Sequence, residues 1–228
     1  MKKTIVLFLC MVTLSAYSQY YPAKSLEDFH FKLLTEKEGN SNRLDYSAVQ
    51  GSPFLNKDFQ QGEVSTTSNT AFNNVLLRYN IYEDEMEFEA EDKKTFYLEK
   101  STIKNVKIGD SEFIYKAYAS NNKLGRSYFE VLLRGKATLL KQYRVVFEAA
   151  KLPKAYEDAT PAQFKTSKSE FYIAFGDEEA NRISGFKELL DLLPDKKMEV
   201  AEFLKKNKLT LGKQEDIIQV IQFYNEGQ

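Results

Sequence analysis

Between residues 62 and about 175, apolar and polar residues alternate in short segments separated by turn residues, and this pattern constrains the fold more than any other feature. Alternation with a period of two puts successive side chains on opposite faces of a β-strand. Turn residues between such segments predict antiparallel hairpins. An aromatic content of 14%, nearly all Tyr and Phe, is also typical of sheets. We therefore expect an α+β fold, in which residues 62–183 form a hairpin-rich antiparallel sheet, open or partly closed.

The first predicted hairpin lies in the acidic segment RYNIYEDEMEFEAED, residues 78–92. A turn at Glu83 and Asp84 gives one apolar and one charged face. The predicted facing pairs are Ile81–Met86, Tyr79–Phe88, Leu77–Ala90, Asn80–Glu87 and Arg78–Glu89. This pairing favours a solvated strand face for four carboxylates, those of Glu85, Glu87, Glu89 and Glu91. A calcium site folds its carboxylates around the ion, which a straight strand does not do, but an ion site or a catalytic carboxylate pair in residues 83–92 stays open.

Two further hairpins give consistent facing pairs. A turn at Gly109 and Asp110, a favoured hairpin dipeptide, predicts the pairs Lys107–Glu112 and Val106–Phe113. A turn at Gly135 and Lys136 predicts the pairs Leu132–Leu139, Val131–Leu140 and Glu130–Lys141. Because this third hairpin is apolar on both faces, we expect both of its faces to be covered.

The ends of the chain differ from the sheet. Residues 184–228 have helical spacing and predict about three helices packed on the sheet, with Asp195 capping one helix after Pro194 and Gly212 preceding another. Residues 19–61 predict a short helix from Ser25, followed by an irregular segment laid over the sheet.

Residues 1–18 have the pattern of a secretory signal peptide: two lysines, an apolar run, and small residues at Ala16 and Ser18. The run is too short to span a membrane, so we expect a periplasmic or secreted protein without a membrane-spanning segment after cleavage. Cys10 lies inside the run and is interpreted as part of the signal. The 32 basic and 33 acidic residues nearly balance, with no sustained basic run, so nucleic acid is not expected as a partner.

Residues for common catalytic chemistry are scarce. Once Cys10 is removed, the chain has no cysteine for a disulfide, a thiol nucleophile or a thiolate metal site. The single histidine, His30, lies on the apolar stripe of the predicted first helix, which favours a core role over a catalytic one. The sequence also lacks a phosphate loop, a dinucleotide fingerprint and a nucleophile elbow. We predict no cofactor, no metal and no catalytic residues.

Several segments together resemble a family of exported proteins from Bacteroidetes-type bacteria: SAYSQ, DYSAVQGSPFLNKDF, LRYNIYEDEMEF, YFEVLLRGKATLLKQYRVVFEAAKLPKAYEDATPAQF and FLKKNKLTLGKQEDIIQVIQFYN. The resemblance covers nearly all of the chain after the signal. It implies an envelope or secreted location, and it implies no activity and no site residue.

Three functions remain open at this point. The leading hypothesis is a non-enzymatic binding or structural protein of the envelope, whose partner could be another envelope protein. The second is a carrier of an apolar ligand or lipid in a curved sheet, held by residues such as Tyr79, Phe88, Phe113 and Tyr115. The third is an envelope hydrolase that uses carboxylates of residues 83–92, among them Glu85, Glu87 and Glu89.

Overall fold

A computed structural model describes residues 20–21, 46–120, 123–153 and 159–226 of the chain. The predicted signal peptide with Cys10 and the predicted first helix with His30 lie outside these residues.

Most of the described chain forms one large sheet. Its strands are β1 (Tyr20–Tyr21), β2 (Gln60–Thr66), β3 (Ala71–Asn80), β4 (Glu85–Glu89), β5 (Thr95–Tyr97), β6 (Ile103–Ile108), β7 (Ser111–Ser120), β8 (Lys123–Leu133), β9 (Thr138–Glu148), β10 (Gln163–Ala174) and β11 (Ala180–Arg182). Their order across the sheet is β11-β10-β9-β8-β7-β6-β2-β3-β4-β5, and β1 pairs with β3.

The sheet is mixed, which corrects the expectation of a purely antiparallel one. β1 runs parallel to β3, and β11 runs parallel to β7. The second pairing closes β7, β8, β9, β10 and β11 into a ring. Strands joined by successive antiparallel pairings alternate in direction, so a ring of five must contain one parallel pair. The odd number of strands in the ring therefore explains why β7 and β11 pair in parallel.

The predicted hairpin pairings are confirmed to different extents. The β6–β7 hairpin confirms both predicted pairs, Val106–Phe113 and Lys107–Glu112. The β8–β9 hairpin confirms Glu130–Lys141 and Val131–Leu140, but a bulge places Leu133, not Leu132, opposite Leu139. The bulged strand has one extra residue near the turn, and local alternation does not reveal such an insertion.

The predicted register of β3 and β4 was wrong by two residues. Asn80 pairs with Glu85, Arg78 with Glu87, and Leu77 with Phe88. The turn contains four residues, 81–84, and Asp84 ends it with a positive φ of 54°. Because side chains alternate with a period of two, a shift of two residues leaves each side chain on its predicted face.

Three helices follow the sheet, as predicted: α1 (Phe186–Leu192), α2 (Lys197–Asn207) and α3 (Gln214–Glu226). A 3-10 turn, Pro194–Lys196, leads into α2. Asp195 does not cap α2, which corrects that prediction: its carboxylate accepts hydrogen bonds from the Tyr224 hydroxyl at 2.9 Å and the Lys136 ammonium at 2.5 Å. In the part of the chain that the structure describes, no helix combines the length and apolarity needed to cross a membrane.

The apolar side chains form three clusters. The helices cover one outer side of the ring, where Leu139 and Ile173 meet Leu189, Val200 and Ile221. The inside of the ring is filled by five buried residues, Phe129, Leu140, Tyr172, Ala174 and Ala180. Strands β2 to β6 share the third cluster with residues of β7 and β8, including Phe113 and Tyr128. Both faces of the β8–β9 hairpin are thus covered, as expected.

Over its described part, from Tyr46 onward, the irregular segment before β2 contacts the sheet through two isolated bridges. Gln50 forms a bridge with Gln163 of β10, and Phe54 forms one with Asn80 of β3. The segment therefore connects the ends of two strands that are distant in the sheet order.

Candidate functional site

The wall of the ring opens where β8 and β9 diverge. Their ladder ends at the pair Glu130–Lys141. Beyond it, β8 continues to pair with β7 as far as Lys123, and β9 continues to pair with β10 as far as Glu148. Beyond that pair the two strands are no longer paired with each other, so the backbone groups on their facing edges need other hydrogen-bond partners where they are buried.

The turn between β3 and β4 fills part of this opening. Asp84 Oδ1 accepts a hydrogen bond from the backbone N–H of Tyr128 at 3.1 Å and another from the Ser127 hydroxyl at 3.1 Å. The Tyr79 hydroxyl donates a third at 2.7 Å. One carboxylate oxygen therefore replaces the missing ladder partner of β8 and ties the β3–β4 turn to the ring.

A pocket of about 250 Å³ remains beside the turn, and we call it the gap pocket. Its walls come from the β3–β4 turn and strands β3, β7, β8 and β9. The lining residues are Tyr79, Ile81, Tyr82, Asp84, Tyr118, Arg126, Ser127, Gln142, Tyr143, Arg144 and Val145. Three of its neighbouring rings, those of Tyr82, Phe147 and Phe164, pack together at one side, with centroids 5.1 to 6.3 Å apart.

Asp84 is the carboxyl group of the gap pocket. Burial raises its pKa above the ordinary value, and the hydrogen bonds from Tyr79, Tyr128 and Ser127 and the charge of Lys100 oppose that rise. All three of its hydrogen bonds fall on Oδ1, and no described residue donates to Oδ2. Burial and the neighbouring carboxylate raise the pKa of Tyr79 well above its usual range, so its hydroxyl stays a donor to Asp84.

Gln142 presents a polar atom to the same pocket. The residue is only 2% exposed, and its amide oxygen accepts a hydrogen bond from the Tyr172 hydroxyl at 3.0 Å. Its amide nitrogen meets no acceptor within the described ranges. Turning the amide over exchanges oxygen and nitrogen, and one of the two still faces the pocket without a partner.

Two arginines add positive charge. Arg144 donates from Nε and Nη2 to Glu170 Oε2 at 3.3 and 3.0 Å. Arg182 binds the other oxygen of Glu170 at 2.6 Å, so two guanidinium groups share one carboxylate. Arg126 is exposed, with its guanidinium 5.5 Å from the Tyr115 ring, and it forms no ion pair with the carboxylates that the structure describes. The arginine side of the pocket therefore carries surplus positive charge.

The acidic strand β4 is not a uniformly solvated face, which corrects that expectation. Glu87 is only 1% exposed, and Arg78 binds its Oε2 at 2.6 Å. The Arg78 guanidinium also lies 3.7 Å from the Phe54 ring and 4.3 Å from the Phe59 ring, so the irregular segment covers this ion pair. The predicted pair Arg78–Glu89 does not form, because of the two-residue register shift.

The carboxylates of Glu83, Glu85 and Glu89 have partners too, whereas Glu91 is exposed. Glu85 pairs with Lys100 at 3.1 Å and Glu89 with Lys93 at 2.9 Å. Glu83 accepts a hydrogen bond from the Tyr46 hydroxyl. Over residues 20–21, 46–120, 123–153 and 159–226, no group of three or more His, Cys, Asp or Glu side chains is arranged to hold a metal ion.

The residues suggested for an apolar carrier do not come together in one cavity. Phe113 is fully buried, and Tyr79 and Phe88 belong to the same core cluster, with Tyr115 packed against it. Tyr79 lines the gap pocket, whereas Phe88 lines a different pocket of about 220 Å³ at the end of β4. A third pocket, of about 340 Å³, lies between α1 and the β7–β11 pair.

Reasoning from the sequence missed most of the gap pocket. The sequence places Asp84 in a turn and within the acidic segment 83–92 considered for an ion or for hydrolysis, but it does not single out Arg126, Ser127, Gln142 or Arg144. One signal was present: along the inward face of β9, apolar Leu140 is followed by polar Gln142 and Arg144. Polar residues on a face that is otherwise apolar indicate a buried polar site.

Comparison with known proteins found no matching family model, no matching curated protein and no matching solved structure.

Proposed function

We propose that the chain is an exported, non-enzymatic binding protein of the bacterial envelope that binds a small polar ligand in the gap pocket. The observation that carries the proposal is the amide of Gln142, which lines the pocket on a residue that is only 2% exposed and whose nitrogen meets no acceptor among the described residues. A polar atom at a pocket wall hydrogen-bonds to water or to a ligand, so this amide offers a ligand a fixed hydrogen-bonding group. Asp84 Oδ2, to which no described residue donates, offers a second such atom.

The volume and the lining of the pocket favour a small polar ligand over a lipid. About 250 Å³ is below the roughly 300 to 1,000 Å³ typical of sites for drug-sized ligands. Tyrosine rings, two arginines, a glutamine and an aspartate contribute to the walls. An apolar carrier has less support, because its suggested residues mostly pack within the core.

The same lining favours binding over hydrolysis. Glycoside hydrolases typically use two carboxyl groups about 5 to 10 Å apart. Among the described residues that line the gap pocket, Asp84 alone has a carboxyl group. The carboxylates of β4 considered for hydrolysis, Glu85, Glu87 and Glu89, are held in ion pairs with Lys100, Arg78 and Lys93.

Equilibrium dialysis against the small-molecule fraction of a bacterial envelope extract tests this proposal. The mature protein is compared with the variant Arg126→Gln, since Arg126 lines the pocket and, among the described residues, forms no ion pair that the substitution would break. The matched control is Lys104→Gln, at an exposed lysine of β6 that does not line the pocket. Mass spectrometry should detect a compound that the mature protein and the control retain and that Arg126→Gln retains more weakly. Equal retention by all three proteins, or none by any, would contradict the proposal.

A further inference from the structure

Groups of opposite charge line the gap pocket. Asp84, on the β3–β4 turn, is one lining residue, and no described donor reaches its Oδ2 atom. Arg126 of β8 and Arg144 of β9 face the same pocket. Arg144 uses Nε and Nη2 for Glu170, which leaves its Nη1 available to a ligand. A single site therefore offers an acceptor for a cation and donors for an anion.

From this arrangement we propose that the ligand of the gap pocket is a small zwitterion of the amino-acid type, with its ammonium group at Asp84 Oδ2 and its carboxylate at Arg126 and Arg144. This inference rests on the proposed binding function. An isolated anion would meet the Asp84 carboxylate, and an isolated cation would meet two guanidinium groups. Like charges brought together in this way select against both kinds of ligand, whereas a zwitterion satisfies each side.

The remaining walls fit the same ligand. The tyrosines 79, 82, 118 and 143 contribute to the lining, and tyrosine rings attract ammonium groups through cation–π interactions. The free amide atom of Gln142 can bond to either end of an amino acid, since an ammonium group donates and a carboxylate accepts. The volume of about 250 Å³ suits one residue-sized molecule or the end of a short peptide.

Calorimetric titration of the mature protein with each of the common L-amino acids tests the inference. The tightest binder is then compared with its N-acetyl derivative, which lacks the ammonium charge, and with its methyl ester, which lacks the carboxylate charge. Each lost charge should weaken binding about tenfold or more, because a hydrogen bond to a charged group contributes about 1.5 to 3 kcal/mol. Dipeptides containing the same residue distinguish a free amino acid from a peptide end as the source of the zwitterion.

Two variants test which residue binds the ammonium group of the ligand and which binds its carboxylate. Asp84→Asn keeps an acceptor oxygen for Tyr79, Ser127 and Tyr128 and suits the positive φ of this position. It should weaken binding of the amino acid about tenfold and leave the N-acetyl derivative unchanged or improved. Arg126→Gln should weaken binding of the amino acid and leave binding of the methyl ester unchanged. Lys104→Gln should change the binding of neither compound.

The outcomes separate this inference from the proposed function. If the N-acetyl derivative or the ester binds the mature protein as tightly as the amino acid does, the zwitterion inference is overturned and pocket binding stands. If no amino acid or dipeptide binds while dialysis still identifies an Arg126-dependent compound, the inference again falls alone. If dialysis also finds no such compound, both proposals fall.

Discussion

At the scale of single residues, Asp84 combines three physical roles. Its positive φ ends the β3–β4 turn, and aspartate tolerates this backbone region better than most residues do. Its Oδ1 atom supplies the acceptor that β8 lacks where β9 diverges. Its burial raises the pKa of the carboxyl group, so ionisation is less favourable in the folded protein than in the unfolded chain.

This raised pKa predicts a pH-dependent difference between the protein and Asp84→Asn. The unfolded chain ionises this group at about pH 3.8, before the folded protein does. The protonated carboxyl therefore favours the folded state, and that contribution is lost as pH rises from about 3.8 through the higher folded pKa. Urea unfolding over a pH series should show Asp84→Asn gaining stability relative to the unsubstituted protein as pH rises. The charged and titratable groups around the carboxyl, identical in both proteins, are Tyr79, Lys100, Arg126, Tyr128, Tyr143 and Arg144.

Asp92 provides a control for which the expected change in stability with pH has the opposite sign. The hydrogen bond from Lys94 lowers the pKa of this exposed carboxyl, so its ionised form favours the folded state. Asp92→Asn should lose stability relative to the unsubstituted protein as pH rises, by a smaller amount. A flat or falling trend for Asp84→Asn would mean that hydrogen bonds to the carboxylate outweigh its burial.

Tyr128 gives a second prediction at this scale. Its hydroxyl is buried, and within the described part of the chain it has no hydrogen-bond partner. Removing an unsatisfied buried group relieves a cost of about 1 to 3 kcal/mol, so Tyr128→Phe should raise the free energy of unfolding by about 1 kcal/mol. Tyr79→Phe removes a hydroxyl that donates to Asp84 and should lower the free energy of unfolding. Urea unfolding measures both, and destabilisation by Tyr128→Phe would indicate a partner for its hydroxyl.

At the scale of elements, the sequence predicted hairpins well and the contacts between distant strands poorly. The dipeptide at Gly109 and Asp110 specifies a tight turn, and its register was right. The turn at Glu83 and Asp84 lacks such a dipeptide, so nothing local distinguished two turn residues from four. The gap pocket depends on where β8 leaves β9 and on a turn that enters from another hairpin. Period-two alternation contains no information about either.

The ion pair between Arg78 of β3 and Glu87 of β4 leads to a prediction opposite to the one expected for a solvated strand face. Glu87→Ala leaves the Arg78 guanidinium, whose side chain is 19% exposed, without its carboxylate partner. Breaking a buried pair in this way costs about 3 to 5 kcal/mol. Glu89, on the same strand face as Glu87, pairs with the exposed Lys93 of the following turn, and Glu89→Ala should cost about 0.2 to 1 kcal/mol. Comparable losses in urea unfolding would show that the Arg78–Glu87 pair contributes no more than a surface pair.

A side-chain clamp joins helix α3 to the β8–β9 hairpin. The Asn225 side chain accepts a hydrogen bond from the backbone N–H of Ala137 at 2.9 Å and donates one to its carbonyl oxygen at 3.0 Å. Because Ala137 is fully buried, Asn225→Ala should cost about 2 kcal/mol or more. It should also accelerate hydrogen exchange of the Ala137 amide. Asn207→Ala, which removes an exposed helix-end hydrogen bond, is the matched control and should leave that amide protected.

At the scale of the whole molecule, β7 and β8 belong to two parts of the structure at once. Phe113 and Tyr128 point into the core shared with β2 to β6, whereas Phe129 points into the ring. Asp84 adds a hydrogen-bonded tie between the β3–β4 turn and β8. Unfolding either part therefore exposes buried residues on strands that the other part needs.

This sharing predicts a single cooperative unfolding transition for the described β-sheet and helices. Phe88→Ala removes a core ring from the β2–β6 side, and Ile221→Ala removes a core side chain beneath the helices. Truncations of this kind cost about 3 to 5 and 2 to 5 kcal/mol respectively. Each should shift one common transition, with far-ultraviolet and tyrosine near-ultraviolet circular dichroism giving the same midpoint. If Phe88→Ala instead separated the two signals, the helices and the ring would be folding without β2 to β6, and the continuity of β7 and β8 would not be enough to couple them.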